Sequence, residues 1–193
     1  MLAVYGTSCF TPSFHTIFRC CARSSHLVMS PVDLTTSVLF VCMGNICRSP
    51  TAEGVMRHKL AHSGWGQTIA VASAGTHAHH IGNPPDNRAQ AHALQRGIDM
   101  SAQRARRVTV ADFAHFDYIL AMDRDNYAML ESQCAPQYRQ KVELMMRYAH
   151  KYPAQAEVPD PYYGGAAEFE AVLDYIDDAC DGLIEAIRAR HGA

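Results

Sequence analysis

The residues best suited to chemistry are a cysteine and an arginine with five residues between them, Cys42 and Arg48. Gly44 and Asn45 lie in this interval and supply the backbone conformations that a tight loop needs. The backbone N–H groups of such a loop, the positive end of a following helix and a guanidinium group together favour an oxyanion. The same positive field should hold Cys42 as a thiolate. The pattern therefore predicts a phosphate-binding loop with a nucleophile at its base.

The residues on either side predict the elements that hold this loop in place. The run 38–41 is apolar and rich in β-branched side chains, which is typical of a buried strand. Ser49 and Pro50 after the loop indicate a helix start, with a hydroxyl to cap the first turn and a proline at the first helical position. No Gly-Lys-Ser or Gly-Lys-Thr closes the loop, which excludes the nucleotide-binding P-loop.

Further along the chain, helix and strand patterns alternate. Helices are predicted over 51–63, 88–96, 124–131 and 167–190, and further strands over 69–72 and 117–121, while 141–146 fits either type. This alternation predicts an α/β fold with a doubly wound, central parallel sheet of about four strands flanked by helices. The active-site loop follows the first strand, and ligands bind beyond the carboxyl ends of the strands in such sheets.

The composition limits the class of protein. A length of 193 residues suggests one domain, and a net charge of −2 argues against a protein built to hold nucleic acid. No apolar run approaches the roughly 20 residues of a membrane span. The cysteines do not suggest a secreted disulfide scaffold, and a required thiolate favours a reducing, cytoplasmic compartment. We therefore expect a monomer that binds neither nucleic acid nor a membrane.

The first segment, residues 1–36, differs from the rest of the chain. It lacks clear periodicity and carries no acidic residue before Asp33. The prediction is a disordered N-terminal extension, or an upstream start codon with Met29 as the natural beginning. A transit peptide is the alternative, because the segment contains arginine and serine but few acids. The phosphate-binding domain is predicted to span 37–193.

Several runs of the sequence resemble one known family. The run VLFVCMGNICRSPTAE at 38–53 resembles the active-site loop of the low-molecular-weight protein tyrosine phosphatases. The resemblance continues through SAGT at 73–76, GNPPDNR at 82–88, FDYILAMD at 116–123 and DPYYG at 160–164. It implies an enzyme that hydrolyses phosphotyrosine on proteins, and small aryl phosphates, without a metal or other cofactor.

The roles of the family transfer to matching residues of this chain. The resemblance implies that Cys42 is a nucleophile that forms a phosphocysteine intermediate, that Arg48 binds the phosphate, and that Asp160 is the general acid and then the base. It also implies that Asn45 and Ser49 hold the loop and support the thiolate. The residues expected to bind the substrate are Met43, Gly44, Asn45, Ile46, Cys47, Ser49, His79, Tyr162 and Tyr163.

Two positions depart from the family pattern. The wall opposite Tyr162 and Tyr163 usually bears a tryptophan or tyrosine in the family, and here that position is His79. We expect this loop histidine to edge the pocket; a metal held by the local histidines is the weaker alternative, because no further ligand lies near in sequence. Ala102 replaces a histidine that helps to position the loop asparagine in some members, which leaves that support to Ser73 or to another group.

Cys47 has two interpretations that the sequence leaves open. It is either a small packed thiol or, as the family resemblance implies, the partner of Cys42 in a reversible disulfide that protects the nucleophile from over-oxidation. The choice depends on the environment of the thiol in the folded loop.

Alternative functions also follow from the fold. An arsenate reductase would need closely spaced downstream cysteines, which Cys134 and Cys180 do not supply. Arginine phosphatases of this fold carry a threonine where Ile46 stands, so the apolar side chain favours a flat aromatic substrate. A phosphate-binding module without turnover would not need a nucleophile and a general acid together.

Overall fold

The computed structural model describes residues 36–63 and 68–191. Four parallel strands form one sheet in the order β2-β1-β3-β4. Their bounds are β1 Thr36–Cys42, β2 Ile69–Gly75, β3 Tyr118–Ala121 and β4 Val142–Leu144. The predicted parallel sheet of four strands is confirmed. Residues 1–35, which carry most of the predicted extension, lie outside the described residues.

Helices cover both faces of the sheet. The α-helices are α1 Arg48–Ser63, α2 Asn87–Gln95, α3 Val110–His115, α4 Arg124–Gln133 and α5 Ala166–His191, and 3₁₀ turns span Pro136–Lys141 and Met145–Tyr148. None of the described helices is long and apolar enough to cross a membrane.

The central strand β1 explains why its sequence is a continuous apolar run. Val38 and Phe40 pack on one side of the sheet against α1 and α5, while Leu39 and Val41 pack on the other side. All four side chains are completely buried, because a parallel strand with helices on both faces has no solvent-exposed side. The burial of each contributes about 1.5–3 kcal/mol to folding, and it anchors the strand that ends at the predicted nucleophile.

The long helix α5 closes one face of the molecule. Its sequence carries an apolar stripe whose members are all buried: Phe169, Val172, Leu173, Ile176, Ala179, Cys180, Leu183, Ile184 and Ile187. Gly182 allows the closest approach, since a Cβ at this position would lie 2.0 Å from the carbonyl oxygen of Tyr148. This contact holds α5 against the 3₁₀ turn that leads into the long loop before it.

Some sequence-based boundaries were wrong. Ser49 does not cap α1, because the helix begins at Arg48 and the Ser49 hydroxyl faces the loop instead. The sequence analysis missed α3, which has only six residues and is too short for helical periodicity; its start is marked by the Thr109 N–H, which donates to Asp112 Oδ2 at 2.7 Å. The ambiguous stretch 141–146 contains both β4 and the beginning of a 3₁₀ turn.

Candidate active site

The loop between β1 and α1 lies at the carboxyl end of the sheet. Asn45 adopts a left-handed conformation with φ of 57°, which asparagine tolerates better than most residues. The neighbouring strand packs directly against the loop at Gly75, where a Cβ would lie 2.7 Å from the Met43 carbonyl oxygen. The Thr76 N–H donates to the Cys42 carbonyl oxygen at 2.9 Å. The loop is therefore held by backbone contacts with β2 as well as by its own turn.

The thiol of Cys42 sits at the base of this loop and is 3% exposed. Its Sγ accepts a hydrogen bond from the Asn45 N–H at 3.3 Å and lies 3.1 Å from the Ser49 Oγ. The Asn45 N–H and the N-terminus of α1 thus place partial positive charge next to the sulfur.

The side chain of Asn45 connects the loop to its support. Its Nδ2 donates to the Oγ atoms of Ser49 and Ser73, each at 2.9 Å, and its Oδ1 accepts from the Arg106 N–H at 2.9 Å. Ser73 in turn donates to Glu53 Oε2 at 2.7 Å. Asn45 and Ser49, which are predicted to hold the loop, both belong to this network.

The same network shows which groups support Asn45 in place of the family histidine that Ala102 replaces. The loop asparagine takes its support from Ser73, which the sequence analysis considered, and from the backbone of Arg106, which it missed. Glu53 was missed as well, because its burial on α1, where it is 9% exposed, follows from the packing of the fold and not from a local sequence pattern.

The guanidinium of Arg48 is buried and holds two carboxylates. Its Nη1 donates to Asp123 Oδ2 at 2.5 Å and to the Val158 carbonyl oxygen at 3.2 Å, and its Nη2 donates to Asp160 Oδ2 at 3.0 Å. Burial lowers the pKa of Arg48, but the charges of Cys42, Asp160 and Asp123 outweigh it, so the pKa lies above its ordinary value. The guanidinium is therefore a permanent positive charge in the site.

Asp123 is a site residue that the sequence analysis placed only as the residue after a strand. Its Oδ1 caps α4 by accepting from the Asn126 N–H at 2.7 Å, while its other oxygen binds Arg48. An aspartate between a buried strand and a helix signals an N-cap. The pairing with an arginine 75 residues away in the chain has no local sequence signal.

Asp160 reaches the same place from the long loop before α5. The loop is fixed at Val158, whose N–H donates to the Met122 carbonyl oxygen at 2.7 Å. The carboxylate is partly exposed, with its Oδ1 accepting from the Tyr162 N–H at 3.1 Å and its Oδ2 on Arg48. The three predicted catalytic residues, 42, 48 and 160, are thus brought together at one opening.

This opening is a cavity of about 300 Å³. Its lining residues are Cys42, Met43, Gly44, Ile46, Cys47, Arg48, His80, Asp160, Tyr162 and Tyr163. Most of the predicted substrate-binding residues therefore line it. Asn45 and Ser49 do not, because they are buried behind the loop and act on its shape.

The structure places His80 at the cavity, where the sequence analysis expected His79. His80 lines the cavity and lies over Gly44, while His79 is exposed and stacks on His77 with ring centres 5.8 Å apart. An ungapped count along the sequence cannot tell which of two adjacent loop residues turns inward. In residues 36–63 and 68–191, no three His, Cys, Asp or Glu side chains form a group that could hold a metal.

The cysteines differ in their environments. Cys47 is a free, buried thiol whose pKa is raised to about 12, mainly by burial and further by the charges of Asp86, Cys42 and Asp160. It is therefore protonated at neutral pH. Cys134 ends α4 and Cys180 lies inside α5, both as free buried thiols on different elements.

Comparisons with known proteins show the family to which this sequence is similar. Residues 37–192 match the family model for low molecular weight phosphotyrosine protein phosphatase. The human protein of that name is 42% identical over 153 residues, which is 78% of this chain and 95% of the human one.

Solved structures of tyrosine phosphatases have a similar fold. A protein tyrosine phosphatase from Entamoeba histolytica superposes with a TM-score of 0.77 and 41% identity, over 81% of this chain and 98% of that one. The Wzb protein of Vibrio vulnificus, solved in complex with benzylphosphonate, has a TM-score of 0.68 and 31% identity, over 79% of this chain and 99% of its own.

Proposed function

The chain belongs to the low molecular weight phosphotyrosine protein phosphatase family and is a protein-tyrosine phosphatase, and on that premise we propose that Cys42 is its nucleophile, with Arg48 and Asp160 as partners. The observation that carries the proposal is their convergence on one cavity of about 300 Å³. A buried nucleophile, a permanent positive charge and a carboxyl group are the groups that phosphate transfer through a thiol requires.

In the first step, the Cys42 sulfur attacks the phosphorus while the bond to the tyrosine oxygen breaks. The loop N–H groups and Arg48 hold the phosphate oxygens and take up the charge of the transferring group. Protonated Asp160 supplies a proton to the departing phenolate, which becomes tyrosine. This step leaves a phosphocysteine and an ionised aspartate.

In the second step, a water molecule attacks the phosphocysteine. Asp160 now takes a proton from that water, so the carboxyl group returns to its starting form and inorganic phosphate leaves. Cys42 departs as a thiolate that the Asn45 N–H and the Ser49 hydroxyl stabilise. The reaction therefore needs no redox partner, in contrast to arsenate reduction.

The position of Asp160 on Arg48 implies a competition. The Asp160 carboxylate accepts a hydrogen bond from Nη2 at 3.0 Å, and a bound phosphate needs the same donor. Asp123 holds Nη1 independently, so the guanidinium keeps its orientation when Nη2 changes partner. We expect Asp160 to turn from Arg48 towards the leaving oxygen when the substrate binds.

Phosphotyrosine is the substrate that the walls favour. The cavity that leads to the buried thiol is lined by Met43, Ile46, His80 and two tyrosines. An aromatic ring fits between such largely apolar side chains. In the relative from Vibrio vulnificus, the bound benzylphosphonate joins an aromatic ring to a phosphonate. A phosphoserine side chain is too short to place its phosphorus at the base of the same passage.

The test combines two cysteine variants with a peptide panel. Cys42→Ser should lower the turnover of p-nitrophenyl phosphate by at least about 1,000-fold, because serine is not a thiolate. Cys134→Ser is the control at a buried cysteine that does not line the cavity, and it should retain most of the activity. Among phosphotyrosine, phosphoserine and phosphoarginine peptides, only the first should turn over well. Equal rates on phosphoserine, or an active Cys42→Ser variant, would contradict the proposal.

A further inference from the structure

An exposed arginine lies at the mouth of the cavity and has no role in the proposed mechanism. Arg88 belongs to the first turn of α2, and its guanidinium carbon lies 5.5 Å from the ring centre of Tyr162, which lines the cavity. The segment that carries it is tied to the phosphate-binding loop, because the Asp86 N–H donates to the Ile46 carbonyl oxygen at 2.8 Å. The arginine is thus held beside the route by which a substrate chain must pass.

The side chain is fixed in one orientation from two directions. Its Nε and Nη2 donate to the two oxygens of Asp86, at 3.1 and 3.0 Å. Its guanidinium also lies over the ring of Phe169 on α5, with the carbon 4.8 Å from the ring centre. A cation held between a carboxylate and an aromatic face loses little conformational freedom when it binds a further anion.

One end of this guanidinium remains available. In the described part of the chain, Nη1 of Arg88 has no hydrogen-bond partner, since the bonds to Asp86 use the other two nitrogens. The residue is exposed to solvent. Nη1 carries two N–H donors, and a carboxylate is the anion of a polypeptide that such donors bind.

The charges of Asp86 and Arg88 act on a residue that lines the cavity. The charge of Asp86 raises the pKa of the Cys47 thiol and the charge of Arg88 lowers it, and Cys47 is a lining residue. The pair therefore lies close enough to the phosphate-binding loop to act on residues next to the phosphotyrosine. An anion that binds Nη1 would lie on the side of the guanidinium that faces away from Asp86, because Nε and Nη2 are the nitrogens that bind this carboxylate.

From these contacts we propose that Arg88 forms a subsite for a carboxylate of the substrate, an aspartate or glutamate that flanks the phosphotyrosine on the Tyr162 side. The subsite rests on the proposed function, because it requires the phosphotyrosine to occupy the cavity. It selects among phosphotyrosine sequences and takes no part in the chemical step. Its contribution belongs to the binding of the peptide and is absent for a small aryl phosphate.

The experiment compares phosphotyrosine peptides that have alanine flanks with peptides that carry a single glutamate. The glutamate is placed in turn at each of three positions on either side. For the wild type we expect kcat/KM to rise about three- to fivefold at one or two positions on one side, as for an exposed ion pair. The preference should decline as the salt concentration rises.

Variants test whether the preference for glutamate-containing peptides depends on Arg88. The double variant Asp86→Asn/Arg88→Gln keeps the net charge and keeps an N-cap residue for α2, and it should bring the glutamate-to-alanine ratio to about one. Arg88→Lys should retain part of the ratio, because it preserves the charge but loses the planar fork. Arg147→Gln removes an exposed charge outside the cavity and should leave the ratio unchanged. Turnover of p-nitrophenyl phosphate should stay within about twofold in all variants.

The outcomes separate this proposal from the one on which it rests. A wild-type enzyme that hydrolyses every phosphotyrosine peptide equally, or a double variant that keeps the glutamate preference, overturns the carboxylate subsite alone. A wild-type enzyme that hydrolyses none of the phosphotyrosine peptides overturns the proposed mechanism and the subsite together.

Discussion

The floor of the cavity, formed by the loop 42–49, contrasts with its rim, formed by His80, Tyr162 and Tyr163. At the floor, Asn45 and Ser49 are almost completely buried and share a closed hydrogen-bond network. At the rim, the side chain of Tyr163 is 96% exposed and its ring contacts that of Tyr162 edge-on. The floor has one arrangement that its contacts determine, while the rim has freedom to adapt.

This difference divides the work of recognition. The phosphate has the same shape in every substrate, so a preorganised set of donors suits it and loses no energy to reorganisation. The remainder of the substrate varies, so adaptable aromatic side chains suit its ring and flanks. Changes at the floor should therefore reduce catalysis or stability for all substrates, and changes at the rim should alter mainly substrate affinity.

The largest effect is expected for Asp160→Asn. Asp160 lies at the mouth of the cavity, but its proposed role is to protonate the leaving group. A general acid contributes about 10²–10⁴-fold, so kcat should fall by about that factor for phenyl phosphate, whose leaving group needs a proton. The loss should be much smaller for p-nitrophenyl phosphate, because its phenolate leaves without help. Measurement of kcat on both substrates checks this.

The same variant also tests the competition for Arg48. Without the carboxylate charge near Nη2, inhibition by inorganic phosphate should be as strong as in the wild type or stronger. An equal loss of kcat on both substrates, or markedly weaker phosphate inhibition, would show that Asp160 serves the binding of phosphate and not the leaving group.

A smaller effect is expected for Ser73→Ala, which removes support behind the floor. The change removes one of the two acceptors of Asn45 Nδ2 and the Ser73 donor to Glu53 Oε2, and such a loss costs about 1–3 kcal/mol. Urea unfolding should show this destabilisation, and kcat should fall with every substrate alike. Ser132→Ala is the matched control, because among the described residues its exposed hydroxyl bonds only to the Met129 carbonyl oxygen of its own helix, at 2.8 Å. If Ser73→Ala changes the free energy of unfolding and kcat no more than the control does, the floor is no more tightly constrained than the rim.

The smallest effect is expected for His80→Ala at the rim. Loss of the ring that lies over Gly44 should raise KM for a phosphotyrosine peptide about threefold, with little change in kcat, because the ring packs against the substrate and leaves the reacting atoms alone. His79→Ala removes the adjacent, exposed histidine and should change KM by less. Steady-state kinetics on one peptide compares the two. A larger rise in KM for His79→Ala would assign the wall to the other residue.

The sequence analysis succeeded where the signal was local. The spacing of Cys42 and Arg48, the glycine and asparagine between them and the apolar strand before them all lie within a dozen residues. Backbone conformation and burial at this range depend on residue type, so the loop could be predicted together with the parallel sheet. The short helix α3 and the boundary at Ser49 were missed or wrong, because a six-residue helix and a single hydroxyl leave no periodic signal.

The sequence by itself determined which reactive groups this protein has, because the thiol, the guanidinium and the carboxyl group each lie in a local pattern that can be recognised without the fold. The tertiary structure decided which groups meet. It brought Asp123 and Asp160 to opposite ends of one guanidinium, turned His80 inward in preference to His79, and set Arg88 beside Tyr162. These choices depend on contacts between residues far apart in the chain, which no local pattern records. The conformation of the loop 42–48 therefore depends on its own residues, and the groups that surround the cavity depend on the packing of the whole fold.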